Sequence, residues 1–284
     1  MRKVGLFLKP QAPEALATAH QILAWAKAHS VEVVAGWQTP AELGLSPLAA
    51  AELSQLDTLV VCGGDGTLLH AAQLVAGTTV PIFAINLGRL GFLTEFDLAQ
   101  LSAWHQGQLV RQQRPFYQVA WQRAGTTLNT RQFINDVVLQ RGAQEHPLTY
   151  GAFVEGQFMS SARADGVLVA SPTGSTAYNL SAGGPILHPS LAGLVVLPIC
   201  PHKVSYRPVV LPVCPIQIEL RSTRGWLSLD GIPWGEMVKG DTLAITPTPH
   251  HLHLWHDPAL NFFDLLRHKL GWDTARGPLK PQLG

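Results

Sequence analysis

A single carboxylate, Asp65, stands in the glycine-rich segment GGDGT at residues 63–67. The apolar, β-branched run before it predicts a strand, and the apolar residues after it predict a helix. Ligands of open α/β sheets bind at the carboxyl ends of strands, and helix N-termini favour phosphate. Because glycines allow positive φ angles and let a ligand approach the backbone, this segment is a candidate nucleotide-binding loop.

The loop differs from the common phosphate-binding motifs. It matches neither GxxxxGK[ST] nor GxGxxG, and it contains no lysine. A carboxylate beside phosphates repels them unless it accepts a proton or orients a hydroxyl. The pattern therefore indicates phosphoryl transfer onto an alcohol with Asp65 as the base. A tight turn in which Asp65 caps the next helix is the alternative.

A second polar segment, DGVLVASPTGSTAYNLSAGGP, covers residues 165–185. Its hydroxyls and backbone amides can bond a polar ligand repeatedly while carrying little charge. The ring of Tyr178 could stack on an aromatic base. A Ser/Thr-rich loop that caps a helix would have the same composition, and this reading stays open.

The elements that must position these segments follow from the periodicity of apolar residues. Strands are predicted at 3–9, 31–36, 56–64 and 80–86, and helices at 13–30 and 67–76, an alternation typical of a parallel sheet. Short β-rich runs broken by Gly and Pro fill 116–256, with a helix around 175–183, and a last helix is predicted at 261–272. We therefore expect an α/β N-terminal domain with a parallel sheet and a β-rich C-terminal domain, with the C-terminal helix packing back on the first. The expected bounds are 1–100, 101–258 and 259–284.

Composition narrows the class of protein. The chain has 284 residues, of which 46% are hydrophobic and 14% charged, so it can bury a core. A formal net charge of +1 gives no global field for nucleic acid or an anionic membrane. The three cysteines are far apart, so neither a disulfide framework nor a zinc site is expected. We expect a cytoplasmic protein without a membrane segment.

Taken together, the motifs resemble those of the NAD kinases, specifically the bacterial type. The resemblance rests on an ordered set of segments that covers nearly the whole chain: GGDGTLLHAAQLVAG, VPIFAINLGRLGFLTEF, FINDVVLQRG, SPTGSTAYNLSAGGPILHP, LPICPHKVSYRPVVLP and LSLDG. GGDGT alone is only moderately specific because diacylglycerol and sphingosine kinases are similar there. The long second motif is much more particular.

The resemblance implies roles for individual residues. Asp65 would accept the proton of the 2′-hydroxyl on the adenosine ribose of NAD, and Gly66 would contact the ligand through its backbone. Arg163 would suit a phosphate, and Asp165 the nicotinamide amide or a ribose hydroxyl, although a surface ion pair is the plain alternative. The full set of implied nucleotide contacts is Asp65, Gly66, Asn135, Asp136, His146, Arg163, Asp165, Thr173, Thr176, Ala177, Tyr178, Asn179, Leu180 and Ser181.

Two of these contacts, and one further position of the family pattern, are weaker or missing by their chemistry. Asp136 stands where the family has Glu and is one methylene shorter, so its contact would be lost or bridged by water. Ile232 stands where the family commonly has Gln, so a polar contact is expected to be missing. His146 is equally well explained as an exposed loop histidine.

The implied reaction is ATP + NAD → ADP + NADP, in a cleft between the two domains. A charged residue at the Arg163 position favours ATP over polyphosphate as donor. Magnesium, or another divalent cation, would come with ATP, since it bridges the phosphates. The resemblance also implies a homodimer or homotetramer, and no nucleic-acid partner.

Two other functions stay open. A lipid kinase of the diacylglycerol or sphingosine type shares GGDGT but has no need of the Thr-Gly-Ser-Thr-Ala-Tyr run. A non-catalytic NAD(P) sensor would keep the fold without turnover. In the run HHLHLWH at 250–256, period-2 alternation places His251, His253 and Trp255 on one face. A solvent-facing strand explains these histidines better than a metal site.

Overall fold

The computed structural model describes residues 2–36, 39–88, 91–143 and 145–272. Its chain divides into two compact units. Unit 1 consists of residues 1–75, 79–112 and 253–284, and unit 2 of residues 76–78 and 113–252. Residues 253–272, the described part of the C-terminal segment, thus group with the first part of the sequence.

Unit 1 is an α/β unit around a parallel sheet. Its strands are β1 (Lys3–Leu8), β2 (Glu32–Ala35), β3 (Thr58–Cys62) and β4 (Pro81–Ile85), and its helices are α1 (Pro13–Ala28), α2 (Asp65–Leu74), α3 (Leu101–His105) and α5 (Phe262–Leu270). The strand order is β2-β1-β3-β4, and every pair in it is parallel. The strands are nearly continuous apolar runs, as expected for a sheet covered on both faces.

The core of unit 1 lies between this sheet and its helices. Ala15, Ala19, Ile22 and Ala26 recur at helical spacing along α1 and are buried. Helix α5 begins with a capping box in which Asn261 and Asp264 bond each other's backbone N–H, and it ends at Gly271 with φ 65°. The predicted C-terminal helix is therefore confirmed, and it groups with the first unit.

Unit 2 is built from antiparallel strands in two sheets. They are β5 (Val110–Arg123), β6 (Thr126–Phe133), β7 (Asp136–Gln140), β8 (Leu148–Val154), β9 (Gln157–Ala164), β10 (Gly166–Ala170), β11 (Gly193–Ile199), β12 (Val209–Pro212), β13 (Ile216–Leu220), β14 (Arg224–Leu229), β15 (Ile232–Val238) and β16 (Thr242–His256). One sheet runs β12-β11-β10-β7-β14-β15, and the other contains β5, β6, β16, β13, β8 and β9. The first residues of β5 and the last of β16 belong to unit 1.

One large apolar cluster, with residues such as Val137, Tyr150, Val169, Ile218 and Leu243 from both sheets, forms the core of unit 2. The opposite face of the six-stranded sheet carries a second cluster around Leu168 and Leu197. Leu187 and the half-buried Ala182, which follow the helix α4 (Tyr178–Ser181), pack on it. The polar segment 171–187 is thereby fixed against the sheet.

The fold-class prediction is confirmed, and the differences lie in element bounds. The helix predicted at 67–76 begins two residues earlier, at Asp65, because the turn after β3 is only two glycines long. The helix expected around 175–183 is a 3-10 turn (Gly174–Thr176) followed by the single turn of α4. The run FINDVVLQR is interrupted at Ile134 and Asn135, between β6 and β7.

Candidate functional site

Asp65 is the first residue of α2, and four hydrogen bonds fix its carboxylate. The backbone N–H groups of Leu93 and Thr94 donate to Oδ1 at 3.1 and 3.0 Å, and the Thr94 hydroxyl donates to the same atom at 2.9 Å. The N–H of Phe92 donates to Oδ2 at 2.8 Å. Because a carboxylate offers about four lone-pair sites, Oδ2 keeps a site for a further donor such as a substrate hydroxyl. The alternative in which Asp65 caps the next helix is therefore wrong, since these bonds go to another segment.

A chain of two hydrogen bonds from Asn86 through Thr94 supports the position of the Asp65 carboxylate. The Asn86 side-chain amide donates to the Thr94 hydroxyl at 2.8 Å, and that hydroxyl in turn donates to Asp65. Asn86 follows β4 directly, as Asp65 follows β3 after two glycines. Thr94 is fully buried, so its hydroxyl has these protein partners in place of water. The orientation of the carboxylate is thus set at the carboxyl ends of two neighbouring parallel strands.

The glycines around Asp65 leave open space beside the carboxylate and do not adopt a left-handed backbone conformation. Gly63, Gly64 and Gly66 all lie outside the positive-φ region, contrary to one of the two reasons expected for them. A Cβ on Gly64 or Gly66 would meet nothing within 4 Å, whereas one on Gly63 would collide with Thr67. The exposed backbone beside the carboxylate is consequently open to a ligand, as close approach requires.

In unit 2, the side chain of Asp230 organises the Asn135–Asp136 segment. Its carboxylate accepts the N–H of Ile134 at 3.0 Å, of Asn135 at 2.7 Å and of Asp136 at 3.1 Å. Asp230 and Gly231, with φ 49° and 78°, form the two-residue turn between β14 and β15. An Asp-Gly pair suits this turn because both positions need positive φ. Asp230 in this turn therefore fixes the backbone of residues 134–136, where β7 begins.

Asp136 is a buried acid with an unusual protonation equilibrium. Only 3% of its surface is exposed. Burial, and secondarily the negative charge of Asp230, raise the pKa of Asp136 to about 7. The group is therefore poised between its protonated and ionised forms near neutral pH, and its protonated form can donate a hydrogen bond.

Segment 171–187 folds onto the start of β7. Ala170, the last residue of β10, pairs with Asp136, the first residue of β7. The N–H of Ser171 donates to the Asn135 carbonyl at 2.8 Å. A Cβ on Gly174 would strike the Asn135 backbone, so only glycine permits this approach. Ser175, fully buried, ties the segment together by donating to the Pro172 carbonyl at 2.6 Å and accepting the N–H of Leu187 at 3.0 Å.

Two polar atoms at this junction lack partners among the described residues. They are the buried side-chain oxygens Oδ1 of Asn135 and Oγ1 of Thr173, in residues that are each 8% exposed. Leaving a buried polar atom unsatisfied costs about 1 to 3 kcal/mol. Their proximity points to a polar ligand that supplies the missing hydrogen bonds.

Tyr178 offers a stacking surface next to this junction. Its side chain is exposed although its neighbours are packed, with 41% of the residue accessible. Burial of the remainder raises its pKa, and the charges of Cys200, Asp136 and Asp165 raise it further. The phenol is therefore neutral at physiological pH. Its ring presents an aromatic face on which the charges of Asp136 and Asp165 act.

Arg163 and Asp165 do not pair with each other, but the surface ion pair expected as the plain alternative is present at Asp165. Asp165 instead binds Arg141, whose Nε lies 2.7 Å from Oδ1. The hydrogen bond and the charge of Asp165 raise the pKa of Arg141. Arg163 is exposed and makes no side-chain hydrogen bond or ion pair to the described part of the chain, so its guanidinium is available to an anion.

The other implied contacts fall in two groups. The fixed segment made of the 3-10 turn and α4 contains five of them: Thr176, Ala177, Asn179, Leu180 and Ser181. The Oγ1 hydroxyl of Thr176 donates to the Thr173 carbonyl at 3.2 Å. The amide of buried Asn179 donates to the Ser175 and Pro185 carbonyls, so its role in the segment is internal. His146 is exposed in the loop before β8 and bonds no described residue. Ile232 begins β15 and pairs with Leu229.

Comparison with known proteins gives this geometry a family. The sequence models described as "ATP-NAD kinase N-terminal domain" and "ATP-NAD kinase C-terminal domain" match residues 4–107 and 134–256. The chain belongs to the ATP-NAD kinase family. An NAD kinase of Citrifermentans bemidjiense is 36% identical over 285 residues, covering 96% of this chain and 99% of that protein.

Solved structures agree with the family. The crystal structure of a yeast NADH kinase complexed with NADH has a TM-score of 0.89 at 25% identity, covering 99% of this chain and 90% of that one. An NAD kinase from Archaeoglobus fulgidus in complex with ATP has a TM-score of 0.71 at 24% identity, covering 94% and 99%, and shows the same fold. The predicted membership of the NAD kinases is confirmed, and the chain is a kinase.

Sequence analysis missed several residues of this ATP-NAD kinase family member: Asn86, Thr94, Arg141 and Asp230. The signal for Asp230 was present, because Asp-Gly between two β-rich runs predicts a hairpin turn. Asn86 follows a strand, as a site residue should. Thr94 and Arg141 act only through side-chain contacts over 29 and 24 positions of sequence, which no local pattern contains.

The histidines and acidic residues that the structure describes were compared with the needs of a metal site. The described residues contain no cluster of three or more His, Cys, Asp or Glu side chains that could hold an ion. In the run 250–256, Leu252, Leu254 and His256 are buried and alternate with residues on the other face, which confirms the predicted period. His250 contacts Gln132, and His256 contacts Glu95. Among the described residues there is also no helix that could span a bilayer.

Proposed function

We propose that this protein transfers the terminal phosphoryl group of ATP to the 2′-hydroxyl of the adenosine ribose of NAD, with Asp65 as the general base. The observation that carries the proposal is the fixed carboxylate of Asp65. Among the described residues, Oδ1 accepts three hydrogen bonds and Oδ2 accepts one, and the adjoining glycines leave the surroundings of the carboxylate open. Membership of the family and the NADH- and ATP-bound relatives support NAD and ATP as the two substrates.

In the proposed step, the 2′-oxygen of the ribose forms a bond to the γ-phosphorus of ATP. The bond from that phosphorus to the β,γ-bridging oxygen breaks, and ADP leaves with the electron pair. The hydroxyl proton passes to Oδ2 of Asp65. Because an alcohol is a weak acid, the base matters most as the transfer proceeds, and such catalysis contributes about 10² to 10⁴ in rate.

Unit 2 would supply the contacts to the dinucleotide. The unsatisfied oxygens of Asn135 and Thr173 can bond its ribose or amide groups, Tyr178 can stack on a base, and Arg163 can pair with a phosphate. Asp165 is held by Arg141 and presents a fixed carboxylate for a hydroxyl or amide donor. These site roles stay predictions, as do the domain bounds 1–100, 101–258 and 259–284.

Magnesium would enter with ATP rather than bind to a protein cage. No cluster of side chains that could hold a metal ion exists among the described residues. These residues do not fit a resident ion, and no step here is assigned to one. Homo-oligomer formation, which rests on the resemblance, and a cytoplasmic location, which rests on composition, are further predictions.

The experiment is a coupled assay of NADP formation from NAD, ATP and Mg²⁺ by the wild type, Asp65→Asn and Asp97→Asn. The Asp65 change keeps an oxygen for the three donors at Oδ1 and removes the base, so a loss of about 10² or more is expected. Asp97→Asn removes an exposed carboxylate of unit 1 from a position where Asn also caps well, so its rate should match the wild type.

Each other outcome contradicts a stated part. Full activity in Asp65→Asn would keep the kinase and remove Asp65 from its role. Phosphorylation of a lipid alcohol in vesicles, with no NADP formed, would favour a lipid kinase. Tight NADP binding by a wild type that forms no product from ATP or polyphosphate would favour the sensor.

A further inference from the structure

The hydrogen-bond donors to the proposed base lie in one segment, residues 91–96, whose C-terminal end is fixed to β4. The N–H of Phe96 donates to the Ala84 carbonyl at 3.2 Å, and the Asn86 N–H donates to the Phe96 carbonyl at 2.8 Å. The Phe96 ring also stacks on Phe83, with the two ring centroids 4.4 Å apart. This end of the segment is therefore held by the sheet itself.

Glu95, one residue earlier, is held by His256 at the end of β16. Nδ1 of His256 lies 2.8 and 2.7 Å from the two carboxylate oxygens of Glu95. Because a carboxylate only accepts hydrogen bonds, Nδ1–H is the donor. The two side chains are only 11% and 7% exposed, and a hydrogen bond is stronger away from water. The C-terminal half of segment 91–96 is thus fixed from two sides.

Phe92 lies at the other end of the segment and supplies the N–H that donates to Oδ2 of Asp65 at 2.8 Å. The N–H of Gly91 donates to the Thr94 carbonyl at 3.1 Å and closes residues 91–94 into a tight loop. A Cβ on Gly91 would collide with Oδ1 of Asp65, so only glycine lets this loop close around the carboxylate. The backbone position of Phe92 therefore orients Oδ2, the oxygen to which the ribose proton is proposed to pass.

The side chain of Phe92 is contacted by the last turn of the C-terminal helix α5. The ammonium nitrogen of Lys269 lies 5.7 Å from the centroid of the Phe92 ring, within the range of about 6 Å at which a cation is attracted to an aromatic face. Both residues are half-buried, and this attraction is stronger there than at a fully exposed site. In the same turn, Arg267 pairs with Asp264, so the two cations have different partners.

Helix α5 is a firm support for Lys269. A capping box closes its first turn, and Gly271 in the left-handed conformation ends it. Leu265 and Leu266 are buried, so the helix is packed against the rest of its unit. A lysine in the last turn also interacts favourably with the partial negative charge of a helix C-terminus. Phe92 is therefore held from a helix with two fixed ends.

We propose that Lys269 is a positioning residue of the phosphoryl-transfer centre: through the ring of Phe92 it holds the N–H that donates to Oδ2 of Asp65. The C-terminal helix thereby acts on the proton acceptor from a position about 200 residues further along the chain than Asp65. The proposal rests on the proposed function, because it concerns the oxygen that receives the proton. A helix that only completes the core of unit 1 would stabilise the fold and leave turnover unchanged.

Steady-state kinetics of Lys269→Met tests the proposal, because methionine keeps an apolar stem and removes the charge. At equal folded fraction, kcat should fall about three- to tenfold, while KM for NAD and KM for ATP stay within about twofold. Lys269→Arg keeps a cation over the ring and should retain most of the rate. The matched control is Lys27→Met, which removes the same charge from the last turn of α1 at an exposed position and should behave as the wild type.

A double-mutant cycle assigns the effect to the contact between the two side chains. Phe92→Leu removes the ring and keeps the N–H, so it should lower kcat to a similar extent, and adding Lys269→Met should lower kcat little further. Additive losses in kcat would overturn the proposal. So would an unchanged kcat in Lys269→Met, equal losses in Lys269→Met and Lys269→Arg, or a rise in KM alone.

Amide hydrogen exchange of the wild type gives a second measurement that needs neither a variant nor turnover. If Lys269 holds the loop, the amides of residues 92–94 should open together with those of α5 as low concentrations of denaturant are added. The amides of β4 are the reference and should open only at higher denaturant. Opening of α5 and of residues 92–94 at separate denaturant concentrations would overturn the proposal.

These measurements separate the proposal from the function on which it rests. If the wild type forms no NADP from NAD and ATP, the proposed function fails, while the exchange measurement still tests the link between α5 and residues 92–94. If the wild type is active and the kinetic or exchange results contradict the role of Lys269, the positioning proposal alone is overturned.

Discussion

The hydroxyl of buried Thr94 donates to Oδ1 of Asp65 at 2.9 Å while it accepts the side-chain amide of Asn86 at 2.8 Å. The proposed base is thus oriented by a residue 29 positions away in sequence. Thr94 touches the carboxylate and not the substrate, so it is a positioning residue. An oriented carboxylate needs little rearrangement when the hydroxyl arrives, and such preorganisation contributes to rate.

Thr94→Val is expected to lower kcat about tenfold with little change in KM for NAD, because the carboxylate loses one donor and its support from Asn86. The steady-state split between kcat and KM measures this. Thr94→Ser, which retains the hydroxyl, should restore most of the rate. A rise in KM with unchanged kcat would show that Thr94 shapes binding instead. Both variants should be compared at equal folded fraction, since a lost buried hydrogen bond costs about 1 to 3 kcal/mol.

Asp230 is expected to matter for NAD binding through the backbone of residues 134–136. Asp230→Ala removes the acceptor of three N–H groups and disfavours the positive φ of the turn, so KM for NAD should rise about tenfold. Asp230→Asn keeps an acceptor and tolerates that φ, so it should have a smaller effect. If Asp230→Ala and Asp230→Asn raised KM for NAD equally, the negative charge of Asp230, and not its bonds to the backbone of residues 134–136, would determine NAD binding.

Asp136→Asn should stabilise the ligand-free protein more at pH 8 than at pH 5. The pKa of Asp136 is raised in the folded state from about 3.8 to about 7, so folding favours its protonated form. The cost of ionising it grows from the unfolded pKa up to the folded pKa and is constant above it. Asn avoids this cost, a gain of about 1 to 4 kcal/mol at pH 8. Thermal melts at both pH values measure it. Asp97→Asn, on the surface, should show the same shift at both.

Asp241 should show the opposite pH dependence. Burial alone would raise its pKa, but hydrogen bonds from Arg123, the Val238 N–H and Trp121, with the Arg123 charge, hold the pKa below its usual value. The stability it contributes is therefore present above about pH 4 and is lost as pH falls through the lower folded pKa. Asp241→Asn should lower Tm by a few degrees between pH 5 and 8, and the gap should close in more acidic melts. A constant gap down to pH 2.5 would contradict the role of its ionised form.

Much of the site could be predicted from local sequence because its parts are local. GGDGT after an apolar strand places Asp65 at the start of a helix, and the Ser/Thr-rich segment forms one compact turn unit. Of the two roles predicted for the glycines, positive φ is wrong, whereas the open space at Gly64 and Gly66 agrees with the predicted approach of a ligand to the backbone. A surface ion pair was expected as the plain alternative for Asp165, but its partner could not be predicted from local sequence, because Arg141 follows β7 and lies 24 positions away.

By itself, the sequence determined the family, the order of the elements and which residue could act as the base, because motifs and apolar periods are properties of contiguous residues. Only the tertiary structure decided what surrounds those residues. It brought residues 92–94 to Asp65, Asp230 to the Asn135 backbone, and Lys269 to the ring of Phe92. Hydrogen bonds, burial and the protonation of Asp136 depend on neighbours in space, and strand pairing selects those neighbours from distant parts of the chain.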